Sequence, residues 1–341
     1  MGTVKALQEH LNKWLLLYVL LAMGLGLLVG YPNAAWTTKN ASVVKNLTTL
    51  AVFFIIYPMM INLKLEALLK VGKNIKGLLL TVVFNFVWAP LIGWILAKVF
   101  LTDPSLSLGF LLVMVVPCSS MSIGYTGLAE GNLELATVAV ALSFVLAIVA
   151  VPLWMAVFAA NYRVPVPIHD MLMSILEVLI APMIFGYLTR LLLTRWLGEK
   201  KFLQLRPLFP SLSLLAMYGI VFMIFFAKAT MIVNKWQTVL LLLAPNGLFI
   251  AITLIVMTWV NRHLKLSYRD NMAIVFASTG KNNGTAIAIA TTAFSPLVAI
   301  PAATMPIFQI LLLVSYLKMA GWLRGYFGER RAEMAPVQGS S

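Results

Sequence analysis

The chain has 341 residues, of which 61% are hydrophobic and only 11% charged, with a mean hydropathy of +0.94. A water-soluble core cannot absorb that composition, which excludes a soluble enzyme or binding module and requires a lipid-embedded chain. A formal net charge of +14 invites a nucleic-acid partner, but the cations sit in separate short loops between apolar runs, where they match an anionic cytoplasmic leaflet instead.

Apolar runs of the length that crosses a roughly 30 Å hydrocarbon core recur along the whole chain. They fall near 14–30, 43–61, 77–100, 107–128, 134–160, 171–193, 208–227, 237–260, 271–293 and 300–323. No connection between them is long enough to fold alone, so the sequence predicts one polytopic membrane domain over 1–341, with an amphipathic start and a polar tail over 324–341. Lys5 and Lys13 before the first apolar run, with Ala34-Ala35 beyond it, have the layout of a signal peptide. The repeat described below requires that run as a span. With the N-terminus cytoplasmic, the groups Lys64-Lys70-Lys73-Lys76, Arg190-Arg195-Lys200-Lys201-Arg206 and Arg262-Lys265-Arg269 all fall on the cytoplasmic side, together with Lys318, Arg324, Arg330 and Arg331. Lys39, Lys45, Lys98, Arg163, Lys228 and Lys235 fall opposite. This asymmetry predicts both termini in the cytoplasm and residence in the cell (inner) membrane.

Ten spans divide into five and five, and an odd number per half makes the second half enter the membrane in the opposite sense. The punctuation follows that division. Pro90 pairs with Pro245, Pro152 with Pro306, and the polar break Pro117-Cys118-Ser119-Ser120 with Thr279-Gly280-Lys281-Asn282, at offsets of roughly 155–163 residues. Repeat one is expected over about 14–160 and repeat two over about 171–323. Each break frees backbone groups that lipid cannot satisfy, so both must line protein or a wet cavity. Half-helices starting there add positive ends to the same chamber.

Lys281 is the only charge in the run from Met272 to Ala293. An ionisable side chain at that depth costs about 2.5–3.5 kcal/mol and marks a functional site by default. The segment Ser278-Thr279-Gly280-Lys281-Asn282-Asn283-Gly284-Thr285 concentrates glycine, amide and hydroxyl residues where a continuous apolar helix would need none. Cys118 is the only cysteine, so there is no internal disulfide, and it stands in the other break.

These two breaks, with Gly131-Asn132 after the first, resemble the bile acid:sodium symporter superfamily, whose other well-known branch is the arsenite-efflux permeases; the resemblance covers essentially the whole chain. It implies an all-α fold of ten helices in two inverted repeats of five, a panel and a core, with the fourth and ninth helices broken and crossing at the midplane. Pro117-Cys118-Ser119-Ser120-Met121 and Gly127-Leu128-Ala129-Glu130-Gly131-Asn132 resemble the arsenite branch, in which the Pro-Cys thiol is tied to transport. That branch has Asn-Asn-x-Glu in its ninth helix, and Thr285 replaces the carboxylate here. The bile-acid branch reads Glu-Thr-Gly-x-Gln-Asn there. Thr279, Gly280 and Asn283 match, Ser278 replaces the sodium-binding Glu, and Val140 and Phe144 stand where further hydroxyls serve sodium. The resemblance therefore implies a family member without two conventional sodium sites.

The expected substrate-binding residues are Cys118, Ser119, Ser120, Lys281, Asn282, Asn283 and Thr285, and the coupling-ion or charge position is Ser278, Thr279 and Lys281. Lys281 serves as a fixed ammonium where sister proteins hold sodium, as a proton carrier, or as a structural lysine paired with Glu130, Glu134 or Glu177. Cys118 is either a soft ligand for trivalent arsenic, its thiolate favoured by a nearby cation, or a small buried hydrophobe. Met59-Met60 and Met217 to Met223 read as gap-filling, and His10, His169 and His263 lie too far apart for a metal site. Asn85 and Asn246 occupy equivalent spans and line the cavity or bond across helices.

The reading is a secondary transporter working by alternating access, arsenite-permease-like and directed to efflux, with no cofactor and a small-molecule or metalloid substrate. The alternative is an organic-anion or bile-acid-like symporter whose carboxylate or sulfonate meets Lys281. An intramembrane enzyme would need paired aspartates, zinc-ligand spacing or a nucleophile near a histidine, none of which is present. A channel would need a pore-like ring motif.

Overall fold

In the computed structural model, which describes residues 2–64, 66–67, 74–162, 168–234 and 236–328, every regular element is a helix. Lys70, Lys73, Arg163, Lys235, Arg330 and Arg331 from the charge asymmetry, and the tail beyond residue 328, lie outside the described residues. Among the described residues, seven helices are long and apolar enough to cross a membrane: Ala41–Ile61, Ile75–Phe100, Leu133–Tyr162, Leu172–Leu197, Glu199–Ala227, Leu243–His263 and Ile300–Lys318. An eighth results if Val4–Lys13 and Leu15–Gly30, bent by 69°, count as one. The regions 104–128 and 268–294 are each split, into Pro104–Val115 and Met121–Leu128, and into Tyr268–Thr279 and Asn283–Ile289.

The helix starts follow from local chemistry. Asp103 Oδ1 accepts the N–H groups of Ser105 and Leu106 at 2.9 and 3.1 Å, ahead of Pro104 in the first turn. Asn74, Asn132 and Asn282 cap their helices in the same way, accepting from Gly77, Leu135 and Thr285 at 3.0 Å each. Phe84–Trp88 and Leu176–Ile180 are π turns inside longer helices, and each is followed by Ala-Pro. A proline lacks an N–H and its ring collides with the carbonyl four residues back, so the preceding turn widens.

Leu15–Gly30, Ala41–Ile61, Ala181–Leu197 and Leu208–Ala227 form one packed group. Gly26 and Gly30 permit the close approach within it, since a Cβ at Gly26 would lie 2.6 Å from the Phe222 carbonyl oxygen and one at Gly30 would collide with the Phe226 carbonyl oxygen. The second group holds Ile75–Phe100, Pro104–Val115, Met121–Leu128, Leu133–Tyr162, Leu243–His263, Tyr268–Thr279, Asn283–Ile289 and Ile300–Lys318. One end of this group is stitched by polar contacts. Asp270 Oδ1 accepts from Asn74 Nδ2 at 3.0 Å and Asn132 Nδ2 at 2.7 Å, while Asn132 N donates to Arg269 O at 2.9 Å. The Gly131-Asn132 pair thus follows one half-helix, starts the next helix and binds the start of Tyr268–Thr279.

Candidate functional site

The two breaks meet. Ser119 N donates to Gly280 O at 2.7 Å and Asn282 N to Pro117 O at 3.0 Å, pairing Cys118 and Lys281 as an antiparallel bridge. Each break supplies hydrogen-bond partners that the other's helices have lost, which is how irregular backbone survives at membrane depth. Gly280 is required at this contact, because a Cβ would stand 2.5 Å from Ser122 Oγ and 2.8 Å from Phe276 O.

Lys281 is fully buried, and its ammonium donates to three oxygens: Asn85 Oδ1 at 2.9 Å, Asn85 O at 3.3 Å and Met114 O at 2.8 Å. Met114 lies in the last turn of Pro104–Val115, so the ammonium sits at the negative end of that half-helix. Asn85 Nδ2 donates to Thr81 O and Ala277 O, both at 3.1 Å, which turns Oδ1 toward the ammonium. All three acceptors are neutral. The carboxylates offered by the sequence are elsewhere: Glu130 binds Arg324 at 2.6 Å, and Glu134 and Glu177 are exposed. The paired-lysine alternative is thus corrected to a lysine held by carbonyl and amide oxygens.

Cys118 is fully buried. Its N–H donates to Ser143 Oγ at 3.2 Å, and its Sγ lies 3.0 Å from the same hydroxyl. Ser119 Oγ accepts from Met121 N at 3.2 Å. Across the bridge, Asn282 Nδ2 reaches the Met59 thioether at 3.3 Å, Asn283 Nδ2 donates to Gln309 Oε1 at 3.3 Å, and Gln309 Nε2 donates to Lys281 O at 3.2 Å. Thr279 Oγ1 donates back to Val275 O at 2.6 Å. Ser278 Oγ, Asn283 Oδ1 and Thr285 Oγ1 are buried without a hydrogen-bond partner in the protein.

A cavity of about 270 Å³ opens between the two packed groups beside this crossing. Met59, Met60, Asn62, Leu63, Lys64 and Arg206 line it from one group, and Ser120, Ile123, Leu133, Thr137, Val140 and Phe144 from the other. Of the expected substrate contacts, only Ser120 lies on its wall; Cys118, Lys281, Asn282, Asn283 and Thr285 are packed behind it. Among the described residues, the cations that line the cavity are Lys64 and Arg206.

Three residues escaped the sequence reading in whole or part. Ser143 is the only hydroxyl between Val140 and Phe144 and points to Cys118. Gln309 is a lone amide in an apolar helix, a pattern that signals a bond across helices. Asn85, expected to line the cavity or bond across helices, holds Lys281. Asn246, its counterpart, donates to Thr304 Oγ1 at 3.2 Å.

The Sodium Bile acid symporter family model matches residues 49–235. The chain is similar to an uncharacterized transporter of Synechocystis, 27% identical over 318 residues that cover 85% of this chain and 81% of the relative. It is similar to the uncharacterized sodium-dependent transporter YocS of Bacillus subtilis, 25% identical over 78% of this chain and 80% of that one. The arsenical-resistance protein Acr3 of Alkaliphilus metalliredigens is 23% identical over 70% of each chain.

Proposed function

The chain belongs to the sodium bile acid symporter family of multi-pass membrane transporters, and from that premise we propose that it is an arsenite-permease-like exporter whose fixed Lys281 ammonium replaces a bound coupling cation. The reading takes the chain as one domain of ten spans in two inverted repeats, residues 14–160 and 171–323, with both termini cytoplasmic and the broken fourth and ninth helices crossing near the midplane. The first packed group is the panel and the second the core.

The observation that carries the reading is the environment of Lys281. Two backbone carbonyls freed from helices and one amide oxygen surround its ammonium. Oxygens of this kind, at unwound segments and half-helix C-terminal ends, are what transporters use to hold sodium or a proton. A tethered ammonium keeps the charge at the crossing through the whole cycle without an ion to bind or release. Ser278 in place of a carboxylate, and Val140 and Phe144 in place of hydroxyls, agree with a site that needs no sodium.

The substrate assignment rests on Cys118 and on the Acr3 relatives. A thiol prefers a soft centre such as trivalent arsenic, and Ser143 Oγ stands within reach to exchange a proton with Sγ. The cavity lies on the side of Lys64 and Arg206, the cytoplasmic side by the charge asymmetry, so this conformation is open to the compartment from which an exporter loads. Substrate reaches Cys118 when the core shifts against the panel and Ser120 gives way.

A second reading is favoured by the cavity itself, because Lys64 and Arg206 are its only charged lining residues among those described. They suit the carboxylate or sulfonate of an organic anion, and in this reading the anion meets them first and not the enclosed Lys281. Everted vesicles separate the two. Cys118→Ser abolishes arsenite accumulation and Arg206→Gln spares it if the first reading holds. The opposite pattern, with anion uptake lost in Arg206→Gln, establishes the second.

A further inference from the structure

We propose that Pro90 is a positioning residue for the transport site, setting the Lys281 ammonium through the carbonyl of Asn85. The inference rests on reading Lys281 as the fixed charge of that site.

In an uninterrupted α-helix the N–H groups of residues 89 and 90 would bond the carbonyls of residues 85 and 86. Pro90 has no N–H, and its ring excludes the Phe86 carbonyl from the helical position. The helix answers with the π turn Phe84–Trp88, in which Ala89 N–H bonds Phe84 O. Asn85 O and Phe86 O both lose the donors that an α-helix would give them. At membrane depth each needs a replacement. Phe86 O takes the indole N–H of Trp154 at 2.8 Å, and Asn85 O takes Lys281 Nζ at 3.3 Å.

The same widened turn carries the Asn85 side chain, which supplies the ammonium's 2.9 Å acceptor. One missing N–H in Ile75–Phe100 therefore creates the acceptors that hold a lysine from the other broken region and a tryptophan from Leu133–Tyr162. Pro182 shows that the device alone is not sufficient. It follows an equivalent π turn, Leu176–Ile180, with Ala181 N–H bonded to Leu176 O, but the helix it begins, Ala181–Leu197, packs on Ala41–Ile61 of the first group.

The test is a thermal-unfolding cycle on full-length protein in lipid nanodiscs, comparing wild type, Pro90→Ala, Lys281→Met and the double variant. Alanine restores an N–H at position 90 that competes for Asn85 O or Phe86 O. With Lys281 present, this takes an acceptor from the ammonium or displaces Trp154. The Tm falls by several degrees, and the initial transport rate falls by about tenfold or more, as expected for a misplaced site group. With methionine at 281 the restored N–H satisfies a stranded carbonyl, and Pro90→Ala leaves the Tm unchanged or raises it. Pro182→Ala shifts the Tm equally in both backgrounds.

Failure of Pro90→Ala to fold only when Lys281 is present is the same result in stronger form. Equal shifts for Pro90→Ala in both backgrounds, or loss of folding in both, overturns the proposal, as does a Pro182→Ala effect that depends on Lys281. Should Lys281→Met itself not fold, Lys281→Ala provides the second background. The Tm comparison does not depend on transport, so its outcome stands apart from the transport reading. A Lys281→Met protein that still transports defeats the fixed-charge reading whatever the cycle gives.

Discussion

Replacing Lys281 with methionine tests how the protein keeps a cation inside an apolar bundle. An ammonium with no partners would be a burden, and its removal would be neutral or stabilising. Here the ammonium makes three hydrogen bonds within 3.3 Å. Hydrogen bonds to a charged group contribute about 1.5–3 kcal/mol each. Against them stands the cost of placing a lysine at that depth, about 2.5–3.5 kcal/mol. Methionine removes that cost but strands Asn85 Oδ1, Asn85 O and Met114 O in an apolar interior. A net loss of about 2–5 kcal/mol is therefore expected, smaller than the bonds alone imply. Unfolding in nanodiscs should show a clearly lowered Tm, and transport should be abolished. Lys281→Ala leaves more space among the same oxygens, and sodium should raise its Tm relative to a bulky organic cation. A Lys281→Met protein as stable as wild type would show that these oxygens do not depend on the charge, and the reasoning would be refuted.

Gly280→Ala should prevent the two breaks from pairing and destroy both folding and transport, whereas Gly24→Ala, whose added methyl meets nothing within 4 Å beyond its own helix backbone, should be silent; expression and size-exclusion profiles decide. Arg324→Ala removes the bond to Glu130, whose side chain is 77% exposed, and should change stability by no more than about 1 kcal/mol. A larger drop in unfolding free energy would show that the Arg324 guanidinium, 4.5 Å over the Tyr268 ring, carries more of the packing than the ion pair does. In the substrate assay, Cys118→Ser should lose arsenite efflux while keeping the wild-type Tm, because serine preserves a bond to Ser143.

The breaks were legible in the sequence because they put polar residues and helix breakers where membrane burial tolerates neither. Their partners were less legible. Lys281 announced itself as a buried charge, but carboxylates were the natural expected partners. The actual acceptors are mostly backbone carbonyls, which have no signature in composition. Asn85 could be recognised as a polar residue in a span, whereas the π turn that exposes its carbonyl follows from Pro90 five residues on, a link visible only when hydrogen bonds are traced. Cys118 and the hydroxyls and amides around Lys281 suggest a chamber from sequence, yet they are packed behind the cavity, whose wall presents Lys64 and Arg206. Which residues face a cavity depends on how separate helices pack against one another, and spacing along the chain does not encode it. The ten apolar runs correspond to seven or eight long helices and two split regions, because Pro117 and Gly280 stop what hydropathy alone continues.

The most direct test of a fixed cation at the crossing is transport by the purified wild-type protein in proteoliposomes, with every sodium ion replaced by potassium on both sides. Equal initial rates in the two salts are predicted, since Lys281 supplies the charge in either. Transport that stops in potassium and returns with sodium would contradict the account, because a mobile ion would then be performing the role assigned to Lys281.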